Sequence, residues 1–143
     1  SHFLEHLNPF HEAIPFLQEC FRTLKKGGIM RVAVPDLWTI IMAYMKKRMK
    51  TFDYDQPLDY QRAETDGLKF SLLMYGTLSK ECTSESYTGH MACYDYPALK
   101  EMLEAGGFKD IKKMSYGISQ SQEIQSETAD MFPSHSLYVE ARK

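Results

Sequence analysis

Cysteine is scarce: Cys20, Cys82 and Cys93 form an odd set without metal-ligand spacing. That suits a reduced intracellular protein better than a disulfide framework. Long apolar runs are missing too, none approaching the roughly 20 residues that a membrane-spanning helix requires. Nor is there an excess of positive charge. Lys and Arg number 17 against 19 Asp and Glu, so the net charge is −2 and the pI near 6.2. A nucleic-acid-binding domain would ordinarily be basic, and the one basic cluster, Lys46, Lys47, Arg48 and Lys50, has acidic residues around it. There is no repeat, no low-complexity tract, and no basic segment leading into an apolar core as a secretory signal would have. We therefore expect a cytoplasmic protein whose partners include neither a membrane nor nucleic acid.

What is present suits one globular core. Apolar residues make up 43% and charged residues 25% of 143 positions, ordinary proportions for a single domain. Ile14, Leu17, Phe21 and Leu24 recur at helical spacing, which predicts a helix over residues 13–25, with Pro15 tolerated in its first turn and Gly27-Gly28 ending it. Ile29 to Val34 follows, a β-branched apolar run closed by Pro35. Its near-continuous apolarity reads as a strand buried on both faces, as in a parallel sheet covered by helices. Asp36 caps a next helix with the stripe Leu37, Ile40, Ile41, Tyr44 and Met45. A helix is expected around 60–75 and a loop over 79–94. Asp95 caps a further helix that turns Leu99, Met102 and Leu103 inward and stops at Gly106-Gly107. Residues 108–116 read as a strand and 117–134 as a polar loop. Leu137, Val139 and Ala141 alternate with polar positions, which predicts a last strand with one face buried.

Several of these segments resemble class I S-adenosyl-L-methionine (SAM)-dependent methyltransferases, most nearly the broad type 11 group. They are Ser1 to Leu7 with its Leu-Glu-His run, Leu17 to Arg22, Leu24-Lys25-Lys26-Gly27-Gly28, and Val34-Pro35-Asp36. Lys26 stands where that group usually has proline. Later, His90 to Asp95, Leu103 to Phe108, and Ser136 to Ala141 follow in the family's order, while 51–88 is unmatched. The resemblance implies an α/β fold of which this chain is the C-terminal part: family strands 5-7-6 with flanking helices, strands 1–4 being absent. It implies one partial domain over 1–143, with 51–94 as a substrate-side insert. It also implies a fragment of an enzyme that moves a methyl group from SAM to a small-molecule acceptor. The family holds SAM by a Gly-rich loop and an acidic residue on the ribose. No Gly-x-Gly-x-Gly occurs here, so the chain alone is expected neither to bind SAM nor to be active. A non-catalytic binding or oligomerisation module reusing the half-fold is the alternative.

Candidate site residues come from the same segments. His2, Glu5 and His6 stand at i, i+3 and i+4, so on a helix they share a face. They are the catalytic candidates, open to a general-base role or to a plain helix start bordering a cleft. Some O-methyltransferases with a similar Leu-Glu-His segment arrange it around a divalent metal, but three such residues in one run do not make a site, and no metal is expected. By the resemblance Ser1 and His2 would flank the cofactor. Asp36 ends a strand, where α/β sheets place their ligand crevice, although a helix cap accounts for it equally well. Tyr44, His90 and Tyr94 could line an acceptor pocket; packing would account for them too. Arg22 should pair with a carboxylate on its own helix, and the nine methionines read as core filler. With the upstream strands missing, the strand over residues 29–34 would be an open apolar edge, and a homo-oligomer covering it is expected.

Overall fold

The computed structural model describes residues 2–76, 89–125 and 130–143. A 3-10 turn, Leu4–His6, leads into a π-helical turn, Pro9–Ala13, which continues as helix α1, Ile14–Thr23. Asn8 starts it, its side chain accepting from the Phe10 and His11 N–H groups. Arg22 pairs with Glu19 at 2.9 Å on the exposed face. The chain reverses at Gly27, whose φ of +74° is the left-handed conformation that glycine adopts without strain, and enters strand β1, Ile29–Pro35. Helix α2 spans Leu37–Met45. A 3-10 helix over Met49–Asp55 and helices α3 (Leu58–Arg62) and α4 (Asp66–Tyr75) follow, so the single helix expected around 60–75 is two, broken at Ala63–Thr65. Helix α5 is Tyr96–Ala105, and strands β2 (Lys109–Met114) and β3 (Ser136–Arg142) complete the chain.

The three strands form one sheet in the order β1-β3-β2, and β3 runs antiparallel to both neighbours. Apolarity along β1 reads as a strand of a parallel sheet, whereas the 5-7-6 order of the resemblance carries its strand seven antiparallel; the pairing found is antiparallel. The apolar run reflects burial on both faces, which strand sense does not determine. On one face Val32 and Val34 lie opposite Val139 and Leu137 and pack with Leu17 of α1 and with Leu99 and Leu103 of α5. Here α1 and α5 approach so closely that a Cβ on Gly106 would lie 2.8 Å from Leu17 Cβ.

The other face corrects a second expectation. The last strand is buried on both sides: Tyr138 and Glu140 are as enclosed as Leu137 and Val139. Arg31, paired in register with Glu140, explains it. Its Nε and Nη2 donate to the two oxygens of Asp130 at 2.8 and 2.7 Å, and Nη1 donates to Glu140 at 3.0 Å. The remaining N–H groups reach the Ile118 and Ser115 carbonyls at 2.8 and 2.9 Å. All five guanidinium donors are used, and the loop after β2 is drawn over the sheet as its second cover. Sequence alternation could not show this, because a paired charge is buried as readily as a leucine once its hydrogen bonds are met.

A second cluster lies between α2 and the helices of 49–75: Ile40, Met49, Phe52, Tyr60 and Leu73. Lys69 is bolted into it with no exposed surface, its Nζ 2.6 Å from Asp53 and 2.9 Å from the Tyr60 carbonyl. Of the stripe expected on α2, only Ile40 is fully buried. Tyr44 and Met45 are 43% and 72% exposed, since α4 covers only part of that helix.

Candidate functional site

At the carboxyl end of β1 the chain brings together side chains from four places in the sequence. The Asp36 N–H donates to the His135 carbonyl at 2.7 Å, and the Leu37 N–H to the Tyr94 carbonyl at 3.0 Å. These bonds tie the end of β1 to the start of β3 and to the segment before α5. The Glu5 carbonyl accepts from the N–H groups of Met91 and Ala92 at 2.7 and 3.2 Å, which lays that segment against the Leu4–His6 turn. His2, His6, His90 and His135 consequently meet, four of the five histidines in the chain. The His6 and His90 rings stand edge to face with centroids 4.9 Å apart. His2 contacts the Phe132 ring at 4.8 Å, and its Nε2 lies 2.7 Å from Ser136 Oγ.

Glu5 is the centre of this group and is completely buried. Its Oε1 lies 3.2 Å from His2 Nδ1, yet among the described residues neither carboxylate oxygen accepts a hydrogen bond. An ionised carboxylate left so is among the most costly things to bury. Two neighbours are orphaned as well: His90 Nδ1 and the Tyr94 hydroxyl are buried with no hydrogen-bond partner. The Leu73 backbone lies within hydrogen-bonding reach of the His90 ring.

Burial shapes the protonation of the surrounding groups. Burial holds His90 below the ordinary histidine value, with Glu5 opposing and His6 adding to the effect. Burial likewise lowers His135, to about 4, against the opposing charge of Asp55. Both rings are therefore neutral at physiological pH. His135 Nδ1 lies 3.0 Å from Ser134 Oγ, which gives its own proton to Asp55 at 2.6 Å, so Nδ1–H is the donor and Nε2 carries the lone pair. Burial, and then Glu5, raises the Cys93 thiol and the Tyr94 phenol, leaving Cys93 an unreactive thiol. Beside the cluster opens a pocket of about 250 Å³ lined by Phe70, Met74, Tyr75, His90, Met91 and Cys93 among others.

Of the residues singled out in the sequence, His2, Glu5, His6, His90 and Tyr94 are brought together. Asp36 borders them but works as a cap: its Oδ1 accepts from the Trp38 N–H at 3.1 Å and its Oδ2 from Thr39 at 3.0 Å. Tyr44 stands apart from the cluster, its ring tilted against that of Phe70 at 4.8 Å, and Phe70 lines the pocket. Ser1 and Cys82 lie outside the described residues. His135, with Ser134 and Asp55 behind it, escaped notice. A histidine just ahead of a final strand was the signal available, but its proximity to residues 2–6 depends on antiparallel pairing across the whole chain.

No protein-family model matches this chain, and no curated protein matches it. Among solved structures, a SAM-dependent methyltransferase from Archaeoglobus fulgidus is similar over 100% of this chain, at 17% identity and a TM-score of 0.46. The match spans 57% of that protein's length. At this degree of likeness no site residue or activity passes from one protein to the other.

Proposed function

We propose that this chain is the acceptor side of a SAM-dependent methyltransferase domain, acting on a small molecule. The observation that carries the reading is the strand order. A last strand inserted antiparallel between the two before it, β1-β3-β2, is the arrangement expected of family strands 5-7-6. The Leu-Glu-His run, the Gly27-Gly28 turn and the Ala105-Gly106-Gly107-Phe108 turn fall at the matching places around it. The histidine cluster lies at the carboxyl end of β1, where α/β sheets bind ligands, and the pocket at His90 has the mixed apolar and polar lining of a small-molecule site. In this reading the pocket, which His90 lines, holds the acceptor.

The residues present do not make a SAM cradle. Neither a Gly-rich strand-to-helix turn nor a ribose-binding acid after a second strand is found in the 143 residues, so no step of methyl transfer is assigned to them. Titration calorimetry of the chain with SAM should give no binding heat at micromolar concentrations. Micromolar affinity would overturn the half-domain reading. The coding sequence upstream offers an independent check: two or three βα units place a Gly-rich turn roughly 70–90 residues before Ser1. A start codon adjoining Ser1 would instead favour a non-catalytic module.

A further inference from the structure

We propose that Glu5, His6 and His90 form a binding site for one divalent transition-metal ion of the zinc class. One ligand atom from each of the three side chains lies within 4.8 Å of the others. Two of the contributors are the orphans of this region: Glu5, with both carboxylate oxygens buried and unbonded, and His90, with a buried and unbonded Nδ1. A proton on Glu5 would remove the charge and could face His2 Nδ1 at 3.2 Å, but it would leave Oε2 and His90 Nδ1 unbonded. A cation between the three satisfies carboxylate and imidazole together. His2, 3.2 Å from Oε1, faces only one side of the carboxylate.

The surroundings fit the same conclusion. Metal-bound histidines characteristically engage a backbone carbonyl through the second ring nitrogen, and the Leu73 backbone lies within hydrogen-bonding reach of the His90 ring. His2, held at its far nitrogen by Ser136, is an outer partner to the carboxylate. The backbone bonds from Met91 and Ala92 to the Glu5 carbonyl fix the two contributing segments against each other. Two imidazoles and one carboxylate select zinc and its transition-metal neighbours over calcium or magnesium, which prefer all-oxygen sites. A metal about 2.0–2.2 Å from each donor spaces the donors about 3–3.5 Å apart, so donors as far as 4.8 Å apart must close by about 1.3–1.8 Å on binding. Three protein ligands leave coordination positions open, and His90 also lines the pocket. The open position would take water or an oxygen donor of a small molecule. The site stands whether or not the chain belongs to a methyltransferase.

The test uses the whole chain, stripped with chelator and then titrated with Zn2+, and with Co2+ as a spectroscopic probe. We expect one ion per chain, and visible Co2+ absorption bands of a low-coordinate nitrogen and oxygen site. Glu5→Gln and His90→Ala should each weaken Zn2+ binding by roughly 100-fold, and His2→Ala by about 10-fold. Exposed His11→Ala should leave it unchanged. Thermal midpoints in chelator check folding: Glu5→Gln, which removes an uncompensated buried charge, should melt no lower than the parent. Less than one ion per chain would overturn the site, and so would affinity that survives both Glu5→Gln and His90→Ala or falls in His11→Ala.

Discussion

Arg31 has every guanidinium N–H committed, three of the bonds to carboxylates that are themselves buried. Removing one partner of such a network leaves charge stranded in a low-dielectric interior, so Arg31→Met should destabilise the fold by about 3–5 kcal/mol, measured as a lower urea midpoint. Burial alone would raise Asp130 and Glu140. Hydrogen bonds from Arg31 and the Gly117 N–H hold Asp130 below its ordinary value instead, and bonds from Ser119 and Gln120 help to do so for Glu140. Their contribution is present above the ordinary carboxylate range and is lost as pH falls through the depressed values. His135 acts earlier. Its pKa is lowered to about 4, so between there and the ordinary value near 6.5 the unfolded chain takes up the proton first. Stability should be full above about pH 6.5 and decline towards pH 4 by an amount on the order of 3 kcal/mol. Melting temperatures from pH 7.5 to 4 test this; His135→Gln should flatten the decline, and an unchanged slope in that variant would count against the assignment. At this scale the sequence identified His2, Glu5, His6 and His90 as candidates by type and spacing. It could not identify Arg31, Asp130 or His135, whose importance comes from partners about a hundred residues away.

Helix limits were legible because their signals are local. Asp36 and Asp95 were expected as caps, and both accept from N–H groups in the first turn of their helices. Asp95→Ala should destabilise by about 1 kcal/mol, visible as a shift of a few degrees in melting temperature. Gly106 was expected only as a stop signal. Its further role, admitting Leu17 of α1 against α5, needs two helices and was not visible. Gly106→Ala should destabilise by roughly 1–3 kcal/mol through overpacking. Had Leu17 room to move, the substitution would be neutral. The helices of 49–75 were the least readable because they are short and share one buried lysine. Lys69 links the 3-10 helix, α3 and α4 through Asp53 and Tyr60, and no apolar period announces such a link.

Across the whole molecule, β1 lies at an edge of its sheet, with the His2 N–H donating to the Ala33 carbonyl along that outer side at 2.8 Å. Beside it Phe3, Leu4, Phe16, Met30, Val32 and Ala33 line a small, largely apolar recess. We propose that this edge pairs with a second copy of the chain, as unpaired strand edges do. Sedimentation at tens of micromolar should find a dimer or larger species, and a dispersed monomer would rule the pairing out. No helix among the described residues is long and apolar enough to cross a membrane.

The sequence by itself determined where α1, α2, α5 and the three strands lie, the caps Asp36 and Asp95, and the inward apolar positions of α1 and α5, because these follow from backbone preferences and side-chain periodicity within about ten residues. Strand sense, the second covered face of β3, and the meeting of residues 2–6 with 90, 94 and 135 were decided only by tertiary structure. Each rests on hydrogen bonds and ion pairs between distant segments, and no local pattern encodes which distant segment will supply the partner.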